Sequence, residues 1–154
     1  MARLVFLDSG PLGLASQARG KFQADRCRGW LRMLLASGVR VIVPEIADYE
    51  VRRELTRSKA TAGLRRPDQL VLPGGLEHDP PTTAAMRRAA EVWAEVRWRG
   101  MPTASDPGLD ADCILAAQAL LAGSPADVVI IATTNVGHLS RFIGVNAQVW
   151  DTIA

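Results

Sequence analysis

Apolar positions run along the chain in two rhythms that alternate. Nearly continuous apolar runs occur at Leu4-Val5-Phe6-Leu7, at 39–43 (VRVIV) and at 127–132 (DVVIIA). The first stops at Asp8-Ser9-Gly10-Pro11 and the second at Pro44. Runs of this length, closed by turn residues, predict strands buried on both faces. Between them the spacing becomes helical. Over 22–37, Phe22, Arg26, Trp30, Met33 and Leu34 lie close to one side, and Gly38 is the stop. Helices are also predicted over 45–57, over 82–99 with Thr82 or Thr83 as cap and Gly100 as stop, and over 109–122. The last of these is apolar on nearly every side and belongs at the centre. A short helix at 137–142 and a strand at 145–150 finish the pattern. Residues 58–81, with five prolines and glycines between 63 and 75 and two more prolines at 80 and 81, read as a loop carrying one short strand at 70–72. Residues 101–108 read as a second loop.

Strands alternating with helices predict an α/β layered domain whose parallel sheet is covered on both faces. A length of 154 residues suits a single domain spanning 1–154. No Gly-x-Gly-x-x-Gly follows the first strand and no Gly-Lys-Ser/Thr phosphate loop is present, so dinucleotide and nucleoside triphosphate binding lack support.

Charge narrows the function classes. The net charge is +2, which excludes a polybasic nucleic-acid coat but not a local basic patch. All 18 basic residues except Lys21 and Lys59 are Arg. Cys27 and Cys113 form no C-x-x-C and no Cys/His cluster, so neither a disulfide framework nor structural zinc is expected. The opening residues MARLVFLDSGPLG do not read as a secretory leader, and no window approaches 18 uncharged apolar residues. A cytoplasmic protein without a membrane span is the expectation.

The acidic residues carry the candidate chemistry. Parallel α/β sheets bind ligands at the carboxyl ends of their strands. Asp8 closes the first strand, Glu50 lies in the helix after the second, Asp110 and Asp112 open the central helix, and Asn135 follows the strongest strand. Each has an ordinary explanation too. Asp before Ser-Gly-Pro is good turn chemistry. Glu50 falls beside the core-facing stripe of its helix, where it can pair with Arg53 or Arg57, or take part in a metal site. Asp112 can complement the helix dipole, with Asp110 the better N-cap. His78 fits no metal motif and reads as a surface loop residue. Trp93 and Trp98 suit either a core or a dimer face, and Trp150 suits the core.

The segments VFLDSGPLG (5–13), PEIADYEVRREL (44–55), LDADCILAAQA (109–119) and IIATTNVGHLSRF (130–142) together resemble the PIN domain family in order, spacing and secondary structure. The resemblance covers essentially the whole chain. It implies a three-layer α/β/α domain with a central parallel sheet of about five strands. It further implies a metal-dependent ribonuclease site, with Asp8, Glu50 and Asp112 as catalytic acids and metal ligands and Asn135 at a fourth metal-ligand position where members carry Asp or Asn. Ser9, Thr133 and Asp110 fall at auxiliary positions. Arg53, Arg57 and Arg141 are candidates for phosphate contact. The implied cofactor is Mg²⁺ or Mn²⁺, which prefers oxygen ligands and keeps several waters. The implied substrate is RNA. The family's small members include VapC-like toxins, which leaves open a small antitoxin partner and a homodimer. The neutral Asn135 motivates a different class, a non-catalytic PIN-fold nucleic-acid-binding or assembly module, and a phosphotransfer domain with Asp8 as acceptor is a third.

Overall fold

The computed structural model describes residues 1–71, 75–100 and 106–154, with the side chains of 106 and 107 left aside. Five strands form one sheet: β1 (Arg3–Leu7), β2 (Arg40–Pro44), β3 (Glu77–Asp79), β4 (Val128–Thr133) and β5 (Ala147–Val149). Their spatial order is β3-β2-β1-β4-β5 and every pairing is parallel. Alternation along β1 sorts the core into two layers. Val5 and Leu7 face one cluster, with Leu12, Trp30, Leu34 and Val51; Leu4 and Phe6 face the other, with Val92, Leu109, Leu115 and Phe142. The first layer is built by α1 (Ser9–Ala15), α2 (Phe22–Ala36) and α3 (Glu45–Arg57). The second is built by α5 (Thr83–Trp98) and α6 (Asp106–Leu121). The expected three-layer α/β/α arrangement with five parallel strands is thus present. Trp150 is in the core at 5% exposure, meeting Trp30 edge to face, whereas Trp98 is exposed. Cys27 and Cys113 are both buried free thiols.

Three departures from the sequence pattern bear on the site. Residues 9–15 are helix α1, not a turn. Pro11 sits in its first turn, where a missing N–H costs nothing, and the first helical bond runs from Leu12 N to Asp8 O at 3.2 Å. The region read as a loop holds a 3₁₀ turn at Thr61–Leu64 and helix α4 (Arg65–Val71), so Leu70 and Val71 end a helix rather than form a strand; residue 72 lies outside the described residues. Helix α6 begins at Asp106, three positions earlier than expected. Of the loop predicted over 101–108, residues 101–105 lie outside the described residues and the rest is helical. A short helix α7 (Val136–Leu139) follows β4. Among the described residues no helix is long and apolar enough to cross a membrane.

Candidate metal centre

Asp8 ends β1 and caps α1, so strand and helix together fix its position. Its main-chain N–H donates to Ala132 O on β4 at 2.9 Å. One carboxylate oxygen accepts from Ser9 N at 2.8 Å and the other from Thr133 Oγ1 at 2.7 Å. Thr133 is fully buried, and its hydroxyl in turn accepts from Asn135 N at 3.0 Å. A chain of bonds therefore ties the end of β4 to the end of β1. Ser9 and Thr133 act here as supports for Asp8.

Glu50 is half-buried on α3, which starts directly from β2 at Pro44. Arg53, one turn on, approaches it at 3.6 Å. The ordinary pairing expected for Glu50 is present but loose. Its carboxyl is nonetheless pushed up to about 7, first by burial, then by the charge of Asp8, with Arg53 opposing and Asp112 adding. Asp112, half-buried on α6, is pushed up to about 6 by burial and by Asp8, against the pull of Arg141 at 3.1 Å. The three carboxylates from three separate elements thus share one electrostatic neighbourhood.

The remaining candidates divide. Arg141 is only 6% exposed and its guanidinium is engaged with Asp112, so the expected surface phosphate contact is a buried partner of an acid. Asp110 does not cap α6; it is an exposed residue inside the helix, facing a surface groove with Met86 and Trp93. Asn135 precedes α7 with no side-chain capping bond and is exposed. Arg53 and Arg57 are exposed; Arg57 is bound to Glu54 at 2.9 Å. His78 is exposed on edge strand β3, not in a loop. Two features were not seen in the sequence. One is the buried Arg141–Asp112 pair, for which spacing carries no signal. The other is Gly10, where an added Cβ would lie 2.5 Å from Thr134 Oγ1; its place between Ser9 and Pro11 was the available hint.

Among the described residues no three His, Cys, Asp or Glu side chains stand close enough to enclose an ion by themselves. The donor set still suits a hard cation. All the donors are oxygens, two of the three carboxyls are raised in part by their neighbours' charge, and Mg²⁺ binds through one or two carboxylates with water completing its shell.

A family model for the PIN domain matches residues 5–137. The chain belongs to the PIN domain family. Among solved structures, VapBC2 from Rickettsia felis bound to a DNA fragment from its promoter superposes with a TM-score of 0.69 at 14% identity, over 96% of this chain and 99% of that one. FitAcB from Neisseria gonorrhoeae gives 0.68 at 18%, over 97% and 99%. Mycobacterium tuberculosis VapC20, a sarcin–ricin loop cleaving toxin, gives 0.62 at 16%, over 92% and 98%. At these identities the likeness is one of fold. No curated protein sequence matches the chain.

Proposed function

We propose that this PIN-family chain is a divalent-metal-dependent endoribonuclease. The observation that carries the reading is the placement of Asp8, Glu50 and Asp112, brought from the end of β1, α3 and α6 so that the charge of Asp8 reaches both half-buried carboxyls. Like charges sharing a partly buried site repel one another unless a cation lies among them, which supports a cation-binding role. Asp8, Glu50 and Asp112 would hold it, with exposed Asn135 offering a neutral oxygen at the rim. Bound there, Mg²⁺ or Mn²⁺ lowers the pKa of a water and offsets charge on a phosphate oxygen. The chain's own part is positioning. Ser9 N and Thr133 Oγ1 leave Asp8 one orientation, and Arg141 does the same for Asp112. Arg53, exposed beside Glu50, is placed to meet an incoming phosphate.

The fold likeness to VapBC2, FitAcB and VapC20 supports a toxin of a toxin–antitoxin pair, with a small antitoxin protein as partner. The exposed Trp93 and Met86 on α5 suit a homodimer contact. The test of the central reading is incubation of the purified chain with single-stranded and structured RNA in Mn²⁺, Mg²⁺ or EDTA. Cleavage is expected with either metal, none with EDTA, and none in Asp8→Asn, Glu50→Gln or Asp112→Asn. RNA that is bound but never cut under any of these conditions assigns the chain to the non-catalytic class instead.

A further inference from the structure

We propose that the cavity between α1 and α3 is a subsite for one nucleotide of single-stranded RNA, next to the phosphate to be cut. The proposal rests on the ribonuclease reading above. The cavity has a volume of about 670 Å³, within the span of small-ligand sites. One end is lined by Ser9 and Glu50, so it opens directly off the acidic cluster. Arg66, bonded to Ser16 at the opposite end of α1 from Ser9, and Lys21, at the start of α2, line it too, as does Arg53 beside Glu50.

The walls have the two characters a nucleotide needs. Leu14, Val51 and Leu55 give an apolar surface for a base face. Helix α1 adds no side chain at Gly13, where a Cβ would meet only Val51 Cγ2, at 3.9 Å. A larger side chain at this lining position would take up part of the space. The cations answer a phosphate. Lys21 is exposed at the start of α2 and has no ion-pair partner among the described residues. Arg66 is half-buried and anchored to Ser16 O at 3.4 Å, a bond that uses one of its five donors. The second acid in the lining, Glu54, is already bound to Arg57. Acids at one end and uncommitted cations at the other suit a strand whose scissile phosphate lies at the acids and whose next phosphate lies at the cations. An apolar protein segment would use the wall and leave Lys21 and Arg66 unanswered, so the charge favours RNA.

The probe is a fluorescein-labelled single-stranded RNA oligonucleotide, titrated by anisotropy against the full chain in EDTA. Lys21→Glu and Gly13→Leu are compared with the native sequence after their melting curves show intact folds. Each variant is expected to weaken binding by roughly five- to tenfold, Lys21→Glu by losing a charge-assisted contact and Gly13→Leu by filling the space a base would take. In Mn²⁺ each is expected to raise KM by a similar factor with kcat unchanged, the pattern of lost uniform binding. Binding within about two-fold of the native chain in either variant overturns the subsite. Loss in Lys21→Glu without loss in Gly13→Leu also overturns it, placing the RNA outside the cavity and leaving the cavity to a protein segment. RNA cut in Mn²⁺ with both variants unaffected removes the subsite alone. RNA bound through these residues but never cut removes the ribonuclease reading and keeps the binding site.

Discussion

At the scale of single residues, Asp8 shows how a carboxylate is kept in place. Thr133, fully buried, donates its hydroxyl to it while the same oxygen accepts from Asn135 N. Thr133→Val keeps the shape and deletes both bonds, the one to the Asp8 carboxylate being the stronger. It is expected to cost about 1.5–3 kcal/mol, the range for a hydrogen bond to a charged group, read by urea unfolding. Arg141 does the corresponding work for Asp112, with only 5% of its side chain exposed. Arg141→Ala leaves a buried acid without its cation and is expected to destabilise by roughly 3–5 kcal/mol in EDTA. A loss below about 0.5 kcal/mol, typical of surface sites, would contradict the buried-pair reading. The raised carboxyls of Glu50 and Asp112 also set a pH dependence. In the folded chain they hold protons up to about 7 and 6; in the unfolded chain they release them near the ordinary carboxylate value, about 4. Their contribution is complete below that ordinary value and is lost as pH rises through 6 to 7. The melting temperature in EDTA is therefore expected to fall between pH 5 and 7.5, and Glu50→Gln to flatten the fall. A melting temperature that rises across that window in the native chain and is untouched by Glu50→Gln contradicts the coupling.

At the scale of elements, the site depends on α1, which the sequence pattern hides. Gly10, Pro11 and Gly13 are poor helix formers in a helix interior, but α1 is only seven residues long and Pro11 lies in its first turn. The helix forms because Leu12 and Ala15 bury against α2 and the sheet, so tertiary packing overrides propensity. Its two glycines are predicted to behave in opposite ways. Gly10→Ala would set a Cβ 3.1 Å from Thr134 Cβ, a clash that rotating Thr134 cannot relieve. It is expected to destabilise by about 1–3 kcal/mol. Gly13→Ala, with only Val51 near, is expected to stabilise by about 0.5–1 kcal/mol. Thermal unfolding of the pair checks both signs. Other elements were plain from the start: β1, β2 and β4 as apolar runs, and α2, α3 and α5 from their spacing. Strand β3 was not, because Glu77-His78-Asp79 is polar and lies at the sheet's edge. Its pairing with β2 and the Arg40–Glu77 ion pair at 3.0 Å hold it, and neither leaves a hydrophobic pattern. The earlier start of α6 moved Asp110 from a capping position into the helix body and left Asp112 as the inward acid.

At the scale of the whole molecule, the net charge of +2 conceals a division of labour. Three acids lie half-buried around the carboxyl end of the central strands, and arginines partner two of them while others stay exposed. The position of Asp8 was legible from a strand end, whereas Glu50 and Asp112 lie in the bodies of α3 and α6, helices that the parallel layout carries to the same rim. The spacing offered Arg53 or Arg57 for Glu50, and Arg53 is the one found, but it could not show that Asp112 keeps Arg141. Arg141 and Arg53 look alike as letters, yet one is buried against Asp112 and the other is exposed beside Glu50. That difference comes from side-chain packing around α6 and α7, which no spacing records.

The most direct measurement is a calorimetric titration of the full chain with Mn²⁺ at pH 7.5, beside Asp8→Asn, Glu50→Gln and Asp112→Asn. The account predicts saturable binding in the native chain that each substitution abolishes or weakens by at least about tenfold. Binding that survives all three substitutions unchanged, or no binding in the native chain, would contradict the claim that these three carboxylates form one cation site.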